Sequence, residues 1–338
     1  MKKIQVEQAV GMPLCHDITA MRDGFKGAAF RRGHIIAEAD IPELLKLGKR
    51  TVFVWEECAG EIHEEDAAMR LAAMTPVEGA HCTPPSEGKV LLIADVPGML
   101  RVDTELLRQV NSIPDLTVAA LPDHYPVEPG SRLASMRIVP LVTREENIRR
   151  AEALCAGKSL LRLRPYRERS AGVIITGSEL YSGRVKDRFE PVVREKLGRY
   201  PGRILGASVC DDNLEMIVNA GREYLDRGAD LLIFSGGMSV DPDDVTPAAI
   251  RALGAEVVSY GVPAQPGNMT LAAYLGGTAI LGVPGAAVSL PVTMFDVLLP
   301  QIFTGDRLTR EELIRLGEGG LCQMCPSCHF PNCTFGRY

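Results

Sequence analysis

The side chains and glycines best suited to chemistry in this sequence gather in a few short loops and one tail. The densest loop is Ser235-Gly236-Gly237-Met238-Ser239-Val240-Asp241-Pro242-Asp243-Asp244-Val245-Thr246. Two adjacent glycines let backbone N–H groups approach an anion closely, and a helix start just beyond adds its positive end. Three aspartates in the same turn offer oxygen ligands to a hard cation such as Mg²⁺. Together they imply chemistry on a phosphorylated small molecule. Acids also stand in Thr176-Gly177-Ser178-Glu179-Leu180 and in Cys210-Asp211-Asp212-Asn213. Plainer roles exist for each: Asp212 as an N-cap, Glu179 as a solvated helix-start acid, Asp241 and Asp243 as turn formers around Pro242. Two glycine loops follow, Pro263-Ala264-Gln265-Pro266-Gly267-Asn268-Met269 and Gly282-Val283-Pro284-Gly285-Ala286-Ala287-Val288-Ser289. Gly285, beside a helix start, reads as an anion site or as tight packing.

The tail is a separate signal. Cys322, Cys325, Cys328 and Cys333 fall at Cys-x2-Cys-x2-Cys-x4-Cys spacing, with His329 among them. Four thiolates within twelve residues suit an iron–sulfur cluster, or Zn²⁺ held by four sulfurs or by three and His329. A metal-free, redox-sensing tail is the third reading. Phe330, Phe335 and Tyr338 are placed to dock the tail on the body. Cys15, Cys58, Cys82, Cys155 and Cys210 are scattered singly and read as small buried hydrophobes.

The elements that must position these groups change character along the chain. From 169 to about 305, apolar runs alternate with helical patterns: strands at 173–176, 203–209, 231–235, 256–260 and 278–283, helices at 189–200, 213–227, 247–253 and 286–299. That alternation predicts a doubly wound, mostly parallel α/β sheet, which brings the loops at its strand carboxyl ends to one edge. Residues 1–77 read as a smaller α+β domain, with a turn at 24–27, a helix at 39–48, a strand ending at Trp55 and a helix at 63–74. The Pro- and Gly-bearing stretch 78–88 reads as a linker. Residues 89–168 read as a mixed α+β domain, and 306–338 as the cysteine-rich tail.

Composition narrows the function. At 338 residues with 46% hydrophobic and 24% charged residues, the chain is that of a multidomain globular protein. A net charge of −6 gives no phosphate-tracking surface for nucleic acid. No apolar run reaches the roughly 20 residues of a membrane span, and no apolar core follows the N-terminal charges as in a signal peptide. The expected location is cytoplasmic.

In this order the loops resemble the molybdopterin-binding domain of molybdenum-cofactor biosynthesis proteins, over about residues 170–305. The matching points are Thr176-Gly177-x-Glu179-Leu180, Asp211-Asp212, Ser235-Gly236-Gly237-x-Ser239-Val240, Asp244, Pro266-Gly267 and Gly282-x-Pro284-Gly285-x-x-Val288-Ser289. The Ser-Gly-Gly-x-Ser-Val form is similar to the multidomain molybdopterin molybdenumtransferases. The resemblance implies insertion of molybdate into adenylylated molybdopterin, with cleavage of the pyrophosphate bond and release of AMP. It assigns the pterin substrate to Thr176, Gly177, Ser235, Gly236, Gly237, Ser239, Pro266, Gly267, Asn268, Pro284, Gly285 and Ser289. It assigns Mg²⁺ and catalysis to Glu179, Asp211 and Asp244, and it implies a homodimer. The N-terminal half matches such proteins only through 29–36, and most of them lack the cysteine tail.

Two positions depart from that pattern. Asn268 stands where the family commonly has Lys, and Ala286-Ala287 where it has Asn-Pro. The alternative is therefore a non-catalytic molybdopterin or molybdenum-cofactor carrier or sensor. A third reading is a nucleotide pyrophosphatase or amidase of the competence-damage family, which uses a related Gly-Gly…Asp-Asp-x-Thr loop.

Overall fold

The computed structural model describes residues 1–22, 25–54, 59–239 and 241–337. Gly24 of the expected turn, Trp55, Cys58, Val240 and Tyr338 lie outside the described residues. The chain divides into two compact units, one of residues 1–95, 102–121 and 129–162, the other of 96–101, 122–128 and 163–338. Among the described residues no helix is long and apolar enough to cross a membrane.

In the first unit, an antiparallel sheet runs in the order Ala80–Cys82, Lys89–Ala94, Arg132–Ile138, Leu116–Ala120. Burial alternates strictly along Lys89–Ala94, as expected of a strand with one face on a core. The stretch expected as a linker therefore contributes a paired strand instead, because Ala80–Cys82 hydrogen-bonds to the neighbouring Leu92–Ala94. Phe25–Phe30 pairs with Ile18–Arg22, so residues 25–27 of the expected turn are strand. Helix Glu64–Ala73 lies close to the expected 63–74, and Thr104–Asn111 forms a further helix with Leu106 and Val110 buried. Helix Glu145–Cys155 was not expected, although Asn147, Ile148, Ala151 and Cys155 give it a buried stripe at three- and four-residue spacing.

The second unit is α/β. Its six strands are β1 (Arg169–Thr176), β2 (Gly202–Cys210), β3 (Leu231–Ser235), β4 (Glu256–Tyr260), β5 (Leu271–Leu275) and β6 (Thr278–Val283). They lie in the order β2-β1-β3-β6-β5-β4. The first four of that order are parallel, while β5 and β4 close the sheet antiparallel. Each outer strand carries one extra residue against its neighbour, Leu205 on β2 and Val258 on β4. The helices are α1 (Ser178–Tyr181), α2 (Phe189–Leu197), α3 (Leu214–Asp226), α4 (Thr246–Ala252), α5 (Ala286–Ser289), α6 (Met294–Thr304) and α7 (Arg310–Arg315).

Strand periodicity sorts the core into two layers. Ala171, Val173 and Ile175 of β1, with Leu231 and Ile233 of β3, face a core shared with α2, α6 and α7. Ile174, Leu232 and Phe234 face the opposite core, shared with α3 and α4. Side chains two residues apart share a face, so the continuous apolar runs of β1 and β3 are buried on both sides.

Lys196 at the end of α2 forms a buried ion pair with Asp296 in the first turn of α6, each residue 5% exposed. The ammonium also donates to the Pro291 carbonyl at 3.1 Å, and Asp296 accepts the Thr293 N–H at 2.8 Å. With Thr293 as N-cap this is a capping box, so the carboxylate serves a helix end and a cation at once.

A second polar group surrounds α7. Glu312 accepts from the Gln301 amide at 3.1 Å and from the N–H and hydroxyl of Thr309, both at 3.0 Å. His124 lies 2.9 Å from Asp123 and 3.5 Å from Glu312. Burial works against the Glu312 charge, but bonds from His124, Gln301 and Thr309 prevail and hold its carboxyl down to about 2. Burial also opposes charging His124, yet Asp123 and Glu312 outweigh it and raise the imidazole above its ordinary value, with Arg101 opposing.

Both groups can be probed by unfolding. Asp296→Ala leaves a buried ammonium unpaired and should lower unfolding free energy by about 3–5 kcal/mol, measured by urea denaturation; Lys196→Met with Asp296→Leu should recover most of that loss. For the second group, a raised His124 contributes stability that is full below its unfolded value of 6.5 and is lost as pH rises through the folded value. A lowered Glu312 contributes stability that is full above 4.5 and is lost as pH falls toward about 2. Urea midpoints should therefore show this contribution greatest between pH 4.5 and 6.5, and His124→Gln should flatten the alkaline decline.

Candidate functional site

The carboxyl ends of β1, β3 and β6 open into one cavity of about 560 Å³. Its floor is the turn after β3, where Ser235, Gly236 and Gly237 all line the cavity. Gly236 has φ +85°, and a Cβ there would lie 2.1 Å from the Thr176 carbonyl oxygen. Only glycine lets the two strand ends approach this closely. Below the turn, the buried Thr246 hydroxyl donates to the Gly236 carbonyl at 2.9 Å and sits 3.0 Å from the Thr176 hydroxyl. Tyr260 on β4 holds the next residues, its hydroxyl 3.0 Å from the Met238 carbonyl and 3.1 Å from that of Ser239. Burial and the neighbouring Asp244 carboxylate push the Tyr260 phenol up.

Acidic side chains ring this floor. Glu179, Asp212, Asp241, Asp243 and Asp244 all line the cavity. Asp244 accepts the Asp241 N–H at 3.2 Å, so it shapes the loop as well as facing the cavity. In the Asp211-Asp212 pair, the cavity-lining residue is Asp212, which accepts the Ser178 N–H at 2.8 Å and so ties the β2 loop to the start of α1. Asp211 is not among the lining residues; its carboxylate accepts the Asp212 N–H at 2.9 Å.

Two cations were missed by sequence reasoning. The Glu179 carbonyl accepts the N–H groups of Arg184 and Val185 at 2.9 and 3.1 Å, folding 182–188 back so that Lys186 and Arg188 line the cavity. Between them Asp187 accepts the N–H groups of Phe189 and Glu190 and caps α2. The signal was the basic run Arg184-x-Lys186-x-Arg188 just ahead of that cap.

The remaining expected residues divide. Thr176, Gly177 and Gly285 line the cavity, whereas Ser239, Pro266, Gly267, Asn268, Pro284 and Ser289 do not. The Pro266–Asn268 loop lies at the same sheet edge, since Leu271 of β5 pairs with Gly282 of β6. Its polar groups are used locally: Pro266 accepts from Met294 N–H at 3.1 Å, Gly267 from Thr270, and Asn268 from Val262 N–H at 2.8 Å. Ser289 donates to the Ala286 carbonyl at 3.3 Å.

The charge balance constrains what can bind. Six carboxylates, counting Asp187, line the cavity against two cationic side chains. A polyanion is repelled by such walls unless a divalent cation accompanies it. Hard oxygen donors suit Mg²⁺, which commonly takes one or two carboxylates and completes its shell with water and substrate oxygens. Among the described residues no group of three or more His, Cys, Asp or Glu side chains is close enough to hold a metal ion unaided. The arrangement fits a cation that arrives with its anionic ligand.

The tail cysteines lie apart from this cavity. Cys322, Cys325, Cys328 and Cys333 line a second one, of about 320 Å³, together with His329.

Comparison with known proteins reaches the same region. Residues 172–304 match the family described as "probable molybdopterin binding domain", and residues 3–56 match a domain of unknown function. A CinA-like protein of Mycobacterium tuberculosis is 34% identical over 89 residues, which cover 26% of this chain and 21% of that protein. A molybdopterin molybdenumtransferase of Staphylococcus aureus is 29% identical over 145 residues, 40% of this chain and 34% of that protein. The chain thus matches about a fifth to a third of the length of these relatives. Among solved structures, the molybdopterin biosynthesis enzyme MoaB from Thermus thermophilus is similar at 22% identity and a TM-score of 0.33, over 41% of this chain and 98% of that one. CinA from Thermoplasma acidophilum is similar at 20% identity and a TM-score of 0.32, over 40% and 96%. By sequence, the α/β unit of this chain thus contains a segment, residues 172–304, similar to the probable molybdopterin-binding domain.

Proposed function

We propose that the α/β unit binds adenylylated molybdopterin and inserts molybdate into its dithiolene, releasing AMP in a Mg²⁺-dependent reaction. The observation that supports this reading is a glycine turn at the strand carboxyl ends sharing one cavity with six carboxylates and two cations. Gly236 and Gly237 expose backbone N–H groups to the phosphate, and Lys186 and Arg188 pair with its oxygens from the rim. Glu179, Asp212 and Asp244 are the carboxylates from which one or two would hold Mg²⁺ alongside the ligand. That ion, when bound, neutralises charge on the bridging oxygens and polarises the bond to be cleaved. The protein's own work is positioning and charge stabilisation, with no covalent nucleophile required. The protein acts as a homodimer in this reading.

A second reading is a non-catalytic carrier or sensor of molybdopterin. It is favoured by Asn268, which stands in place of a lysine and whose loop is outside the cavity lining.

One experiment separates the two. The chain is incubated with adenylylated molybdopterin, molybdate and Mg²⁺, and AMP and formed cofactor are quantified. Turnover with AMP release is expected, abolished by EDTA; tight binding without AMP leaves the carrier. Asp244→Asn should lower AMP release by about 100-fold, and wild-type rates in that variant would overturn its assignment. Gly236→Ala strains the turn by about 1–3 kcal/mol, expected as a tenfold or greater loss of ligand affinity in a titration. Lys186→Ala should weaken binding about tenfold with little change in stability.

A further inference from the structure

The cysteine tail is ordered by contacts independent of the acidic cavity. The Cys322 N–H donates to the Gln265 carbonyl at 2.9 Å, and the Gln265 N–H to the Gly320 carbonyl at 2.7 Å. Phe335 is 2% exposed and belongs to the main core, with Phe330, Cys322 and Cys333 packed against it. Farther along, Asn332 hydrogen-bonds the Tyr125 hydroxyl, and the Arg337 guanidinium lies over the Tyr125 and Phe330 rings. These contacts fix the backbone on which the thiols are carried.

All four thiols are free and stand around one volume of about 320 Å³. Among the described residues no three of these side chains are close enough to hold a single metal ion, whereas all four line one volume, a space that a cluster spans with its own iron and sulfide atoms. The wall opposite is apolar, formed by Leu290, Pro291, Val292 and Phe335. Such a wall suits a sulfide-rich body and limits solvent access to it. The Met324 N–H already points at Cys322 Sγ, at 3.5 Å, the kind of bond that tempers charge on a cluster thiolate. Three cysteines at two-residue spacing can reach three corners of a cubane, and Cys333 supplies the fourth.

We propose that Cys322, Cys325, Cys328 and Cys333 bind a [4Fe–4S] cluster. The assignment does not depend on the pterin reading of the other cavity. The test uses the full chain, purified anaerobically and reconstituted with ferrous iron and sulfide. About four iron and four acid-labile sulfide per chain are expected, with a visible band bleached by dithionite. One zinc per chain without sulfide, or no metal uptake, would overturn the proposal. Cys325→Ser and Cys328→Ser alter exposed residues and should lose most of the iron, whereas Cys82→Ser should keep all of it. A second measurement needs no variant: reconstitution should protect the four tail thiols from iodoacetamide at least tenfold while leaving Cys82 reactive. Equal alkylation with and without iron would refute the ligand set.

Discussion

The buried pair of Lys196 and Asp296 is the constraint on which the functional half of the chain depends. Burying two charges is costly, and the cost is offset only when every polar atom around them is paired. Here the pairing recruits the Pro291 carbonyl and the Thr293 N–H, so the loop from α5 to α6 is held from both ends. That loop follows Gly285 and Val288 at the acidic cavity, and its Leu290–Val292 stretch walls the cysteine cavity. One ion pair therefore sets the position of a wall in each site. A core of the same volume made only of aliphatic side chains would pack as well without fixing that loop's backbone.

The acidic cavity shows how a loop can be built from one set of interactions and used for another. Asp212, Asp244 and Asp187 each accept a backbone N–H, which is how the three loops keep their shape. The same carboxylates give the cavity its negative field. The glycine turn provides the opposing feature, N–H groups without side chains over them. In the proposed reading an anionic ligand would meet both, with a divalent cation between them.

Much of the fold was legible in the sequence. The continuous apolar runs of β1 and β3 can be satisfied only by burial on both faces, and Gly236-Gly237 after such a run implies a close approach. These are local patterns with one physical solution. β5 escaped because its run, Leu271–Leu275, follows a proline–glycine loop without the helix that marks a parallel crossover. The stretch 78–88 misled because prolines and glycines punctuate a sheet edge as readily as a linker. Lys186 and Arg188 were illegible as site residues: their approach depends on two N–H bonds to the Glu179 carbonyl, which no periodicity encodes. The choice between Asp211 and Asp212 was hidden for the same reason, since hydrogen bonding decides which of two adjacent carboxylates turns inward. Thr246 was read only as the end of the acidic loop, yet it braces the glycine turn from below.

The extra residues Leu205 and Val258 sit on the two outermost strands of the six-stranded sheet. A bulge interrupts the regular row of N–H and C=O groups that an edge offers to another chain, and it increases local twist. On β2 the carbonyl of Leu205 itself is occupied by the Arg227 guanidinium. Both borders of the sheet are thereby made poor templates for strand addition. Strand-to-strand addition at these borders is consequently disfavoured, and with it the continuous sheets that grow without limit.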